Sequence, residues 1–139
     1  MATTISQAQH LIDIGIPVES ADMVLLHEEP YETSDSKFDG LHQYLCVPFK
    51  QYDKGPKTKY RNISYFPAWS LEALLELIPY NVTDNNAVYR FKLVKYPDKW
   101  KCYHENFGSS STGIQEGKTA LEAAYNMVVY LKENFDIID

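Results

Sequence analysis

The stretch Ala87-Val-Tyr-Arg-Phe-Lys-Leu-Val94 decides the fold class. Ala87, Tyr89, Phe91 and Leu93 alternate with Val88, Arg90, Lys92 and Val94. Only a strand with one face buried has that period of two. Tyr96-Pro-Asp-Lys99 then supplies a turn, and Trp100 to His104 returns as the hairpin partner. Downstream the period changes. Thr119-Ala-Leu-Glu122 fits a capping box, and Leu121, Ala124, Tyr125, Val128 and Leu131 line one side of a long helix.

Working back from the hairpin, Asn81 to Asn86 reads as a turn, and Ser70 caps a helix with Leu71, Leu74, Leu75 and Ile78 on one face. Pro79 ends it. Ile63 to Phe66 is a short extended piece, and Leu41 to Phe49 alternates as a strand. Residues 28–40 and 50–62 read as loops, rich in turn formers. At the start, Thr4-Ile-Ser-Gln7 is a capping box for a helix over Ile5–Ile14, which Gly15 stops. Pro17 to Asp22 forms a helical turn before the apolar run Met23–Leu26. Gly108 to Gly113 is read as flexible, with Ile114-Gln115 extending an edge strand. The expectation is one α+β domain over residues 1–139: a small, mainly antiparallel sheet with about three helices, ordered helix–strands–helix–hairpin–helix. Leu11, Leu74, Phe91, Val128 and Leu131 are its expected core.

Composition narrows the functions. The 139 residues are 45% hydrophobic and 23% charged, as in an ordinary globular domain. No apolar run approaches the ~20 residues of a membrane span, and the N-terminal residues lack a signal-peptide pattern, so a cytoplasmic protein is expected. Two cysteines cannot build a disulfide framework. A net charge of −6 argues against a general nucleic-acid binder.

The charge is uneven. Residues 19–39 carry seven carboxylates against Lys37, whereas residues 50–61 carry five cations against Asp53. The basic segment is also aromatic: Tyr52, Tyr60, Tyr65, Phe66 and Trp69 interleave with Lys54, Lys57, Lys59 and Arg61. Aromatic faces stack on bases and cations hold phosphates, so Lys57, Lys59, Tyr60, Arg61, Tyr65 and Trp69, with Arg90 as a further anchor, form a candidate site for a small anionic, nucleotide-like ligand. In the competing reading the aromatics pack as core and the cations solvate a rim.

Other chemistries fit less well. Gly113-Ile-Gln-Glu-Gly-Lys-Thr119 resembles a phosphate loop, but three residues separate its glycines where the wrap needs four. His42, Cys46, Cys102 and His104 would converge if their strands paired, yet they lack the tight Cys-x₂₋₄-Cys knuckle of structural zinc sites. Cys102 with His104 lacks the basic setting of a catalytic thiolate. No catalytic residue, metal or cofactor is assigned, and the balance favours binding over catalysis.

Leu11–Met23, Pro67–Pro79 and Thr119–Asn134 resemble uncharacterised small proteins encoded by phages and prophages of gut Bacteroidales. Pro67-Ala-Trp-Ser-Leu71 is the most specific block, and the resemblance spans most of the chain. It implies a phage accessory protein in the host cytoplasm, and it brings no activity and no functional residue. The hairpin from Ala87 followed by Gly117-Lys-Thr-Ala-Leu-Glu-Ala-Ala124 also resembles, at the level of fold, the strand–strand–helix pattern of HicB-type antitoxins. Together these suggest a non-catalytic, homo-oligomeric binding protein, sequestering a nucleotide-type signal of host defence. The alternatives are an antagonist of a host protein, or nucleic-acid mimic, acting through the acidic loop 28–39, and a small phosphodiesterase or nuclease.

Overall fold

Thr4 opens the first helix, α1 (Ile5–Asp13), with the reciprocal bonds that its sequence spells. Its hydroxyl accepts the Gln7 amide at 3.2 Å, and Gln7 Oε1 accepts the Thr4 amide at 2.9 Å. Gly15 turns the chain out of the helix at φ +98°, a conformation that costs other residues about 1–2 kcal/mol. One 3₁₀ turn, Val18–Ser20, leads into the first sheet. These elements come from a computed structural model that describes residues 1–30, 44–48, 61–106 and 110–135, with backbone alone at 26–30, 44–48 and 61–65.

The first sheet is antiparallel, in the order β2-β1-β3: β1 is Met23–Pro30, β2 Tyr44–Pro48 and β3 Arg61–Ala68. Polar composition hid its length. Glu28, Glu29 and Pro30, read as loop, pair with Ile63, Asn62 and Arg61. Of the strand predicted over 41–49, residues 44–48 are in place and the rest lie outside the described residues.

Helix α2 (Leu71–Leu77) follows β3, and Ser70 Oγ accepts the Ala73 amide at 3.2 Å as its cap. The second sheet runs in the order β4-β5-β6-β7: β4 is Asn81–Asp84, β5 Ala87–Lys95, β6 Trp100–Asn106 and β7 Ser110–Gly117. Here the expected turn over 81–86 is mostly a strand. Only Asn85 and Asn86 turn, at φ 51° and 66°, a two-residue connection with both residues left-handed, as type I′ hairpins require. The final helix, α3 (Ala120–Phe135), packs on β6, β7 and α2. Thr119 caps it by accepting the Glu122 amide at 3.0 Å, while Glu122 Oε2 accepts from the Lys118 amide, one residue earlier than the predicted box.

The α+β class, the antiparallel pairing and the element order match expectation, with the strands divided between two sheets. One cluster forms the core. Leu11, Trp69, Leu74, Met127 and Val128 are fully covered, Leu131 is 2% exposed, and Phe91 packs against them partly covered. Trp69 joins three segments. Its carbonyl accepts the Thr3 amide at 2.9 Å, its own amide donates to Thr3 Oγ1 at 3.1 Å, and its indole N–H donates to Ser20 Oγ at 2.9 Å. Beside it, the Ser70 amide and hydroxyl both donate to the Asp22 carboxylate.

Among the described residues, no helix is long and apolar enough to cross a membrane. Leu131→Ala should lower unfolding free energy by about 2–5 kcal/mol in urea melts. Thr3→Val keeps the volume but strands the buried Trp69 amide, and should lower it by about 1–3 kcal/mol.

Candidate functional site

Two glycines set helix α3 onto the second sheet. A Cβ at Gly117 would lie 2.5 Å from the Ala123 backbone nitrogen, so only a glycine lets β7 touch the first turns of the helix. A Cβ at Gly113 would meet Tyr130 Cε1 at 2.7 Å, about two turns further along. The β6–β7 register pairs Cys102 with Gln115 and His104 with Thr112, leaving Gly113 and Ile114 opposite Tyr103 alone. This is a β-bulge, and Gly113 adopts its left-handed φ of +65°. The segment that resembled a phosphate loop is therefore mostly strand.

Strands β6 and β7 continue past His104 and Thr112 to Asn106 and Ser110, and a cavity of about 250 Å³ opens where the last turns of α3 meet the sheet. Residues 81–84 of β4 form one wall, and Thr112 and Gly113 of β7 another. Tyr130, Leu131 and Phe135 close it from the helix, and His104 completes the lining from β6. The Tyr130 and Phe135 rings meet edge to face, 5.6 Å between centroids. Among the described residues, Asp84 is the one charged residue in the lining, and no lysine or arginine contributes.

His104 is 1% exposed. Its Nε2 lies 2.9 Å from the Pro79 carbonyl, and because a carbonyl only accepts, Nε2 carries the hydrogen. Burial pushes the imidazole pKa below its usual value, opposed in part by that same bond. In the neutral ring, Nδ1 is then a bare acceptor, without a hydrogen-bond partner among the described residues. Phe91 packs at 5.5 Å, ring centroid to ring centroid. Two residues away, Cys102 donates its S–H to the Ala123 carbonyl at 3.2 Å, and burial pushes its pKa up to about 12. A thiol so held is not a nucleophile at neutral pH.

The residues proposed from sequence are dispersed. Lys57, Lys59 and Tyr60 lie outside the described residues. Arg61 and Tyr65 occupy β3 opposite Pro30 and Leu26. Arg90 lies on β5 in the other sheet, beside Lys92 and Glu105 on the face away from α3. Trp69 corrects the expectation outright: it is fully buried, its N–H is engaged by Ser20, and no face is open to stack on a ligand. The tempting ligand set also separates. Cys46 pairs with Leu25 in the first sheet and Cys102 with Leu93 in the second, so their strands do not meet, while His42 lies outside the described residues. Among the described residues no group of three His, Cys, Asp or Glu side chains is placed to hold a metal.

No family model, curated protein or solved structure matches the chain. Sequence reading missed the site because its parts are scattered over four elements. The usable signal was Asp84-Asn85-Asn86-Ala87, whose paired asparagines announce a tight hairpin and hence a strand before it.

Gly117→Ala should destabilise by about 1–3 kcal/mol, because the new methyl meets backbone. Gly113→Ala should cost less, about 1–2 kcal/mol, chiefly from the left-handed φ, because the Tyr130 ring can swing aside. Thermal melts of the two variants test the order. For His104, whose folded pKa is lowered, the unfolded chain takes up the proton first. Its contribution is complete above pH 6.5 and declines as the pH falls from there toward the lowered value, by at most about 1.4 kcal/mol per pH unit. Denaturant titrations from pH 7.5 to 5 should show this slope, and His104→Gln should remove it.

Proposed function

We propose that this protein is a non-catalytic binding protein that holds a small molecule in the cavity between β4, β7 and the end of α3. The observation that carries the reading is the cavity itself. At about 250 Å³ it lies just below the usual range for small-ligand sites, and it combines aromatic walls with a few placed polar groups, as such sites do. Its walls belong to rigid strands and a helix packed through glycine contacts, so the shape exists before a ligand arrives.

The chemistry supports holding rather than transforming. The nearby thiol is kept protonated, and the one imidazole has a nitrogen committed to a main-chain carbonyl. Neither group is set to attack or to relay a proton in concert with the other. The resemblance to phage accessory proteins fits the same role, with a small signal molecule of the host as the natural class of ligand. A phosphate group would find no cation among the described residues of the cavity lining, so a nucleotide would place only its base or nucleoside there.

Calorimetry or ligand-observed NMR against a panel of bases, nucleosides and small aromatic compounds tests the proposal. At least one compound should bind and be recovered unchanged. Thr112→Phe fills the cavity from the β7 wall and should weaken that binding about tenfold or more, equivalent to 1.4 kcal/mol, without lowering the melting temperature. Binding indifferent to Thr112→Phe would move the site elsewhere.

A further inference from the structure

The His104 side chain in the lining restricts what can occupy the cavity. The Pro79 carbonyl holds the hydrogen of His104 on Nε2, so the tautomer is chosen by the backbone before any ligand enters. That leaves Nδ1 as a buried acceptor in a ring only 1% exposed, with no donor to it among the described residues. An unpaired buried acceptor is costly, and a ligand that supplies a donor relieves the cost. The surrounding walls are Tyr130, Phe135 and Leu131, which favour a flat apolar body. Among the described residues, the sole charge in the lining is the Asp84 carboxylate, at the exposed edge of β4. An anion would meet repulsion there and, among the described residues, no counter-charge in the lining.

We propose that the cavity selects a small, flat, uncharged heterocycle carrying an N–H donor, which it gives to His104 Nδ1 while its ring lies against Tyr130 and Phe135. This rests on the cavity being the binding site, and it adds the ligand's polarity and charge. It separates the site from the basic, phosphate-holding loop expected from sequence, because recognition here is by one donor and an apolar face.

Indole and benzofuran are the probes. They match in shape and differ by replacing N–H with an oxygen that cannot donate. Indole should bind the wild-type protein about tenfold more tightly than benzofuran, and adding a carboxylate, as in indole-3-carboxylate, should weaken binding. His104→Phe should bring indole and benzofuran to similar affinity. Should that variant not fold, ¹⁵N NMR of the histidine-labelled wild type answers the same question. The Nδ1 resonance should move on adding indole and stay on adding benzofuran. Equal affinities that are both lost in Thr112→Phe would overturn the donor inference while leaving the cavity as the site. An unmoved Nδ1 resonance at millimolar indole would overturn it as well. Binding untouched by Thr112→Phe would instead remove the cavity reading on which it stands.

Discussion

The junction at Trp69 is the constraint on which the rest of the structure depends. Its ring is the largest fully buried side chain, and its main chain and indole hold Thr3 and Ser20. Ser70 adds the Asp22 carboxylate and at the same time caps α2. The first sheet ends at Ala68 and the helix leading to the second begins at Leu71, so this short link stands between the two sheets. With the N-terminal segment bonded to it from one side, the link cannot pivot without breaking several hydrogen bonds together, the buried Thr3–Trp69 bond among them. Buried polar groups of this kind contribute little net energy each but are costly to separate singly, which makes the joint cooperative.

The second sheet shows how two glycines fix where the cavity opens. Helix α3 is anchored close at its start, where Gly117 removes the side chain that would hold it away. Near its end the bulge at Gly113 admits the Tyr130 ring, and the strands extend beyond. The cavity opens there, between an edge strand with exposed polar residues and the aromatic last turns of α3.

Local signals predicted most of the fold. The Thr4 box, the Ser70 cap and the alternation of Ala87 to Val94 each depend on neighbours within a few residues, and the structure contains all three. β4 and the full length of β7 were missed for the opposite reason. Asn81-Val-Thr-Asp84 and Ser110 to Gly113 carry no apolar alternation, and they are strands because β5 and β6 offer them a ladder. The site followed the same logic. Interleaved aromatics and cations from Tyr52 to Trp69 looked like a binding stripe, but the period of a sequence does not say which aromatic turns inward, and Trp69 does. His104 was noticed for a metal role that required its strand to pair with the one carrying Cys46. Its actual partner, Pro79, is 25 positions away and visible only in three dimensions.

The bonds at Trp69 also bear on the order in which the chain can assemble. Thr3 and Trp69 are 66 positions apart, and Ser20 and Trp69 are 49 apart. At a synthesis rate of about 5–20 residues per second, Thr3 leaves the ribosome roughly 3–13 s before the tryptophan that it must grip. Helix α1 has nine residues, too few to persist alone in water despite its capping box. The segment that carries Thr3 thus waits for Trp69 before it can dock, and through those seconds Leu11 has no finished surface to cover it.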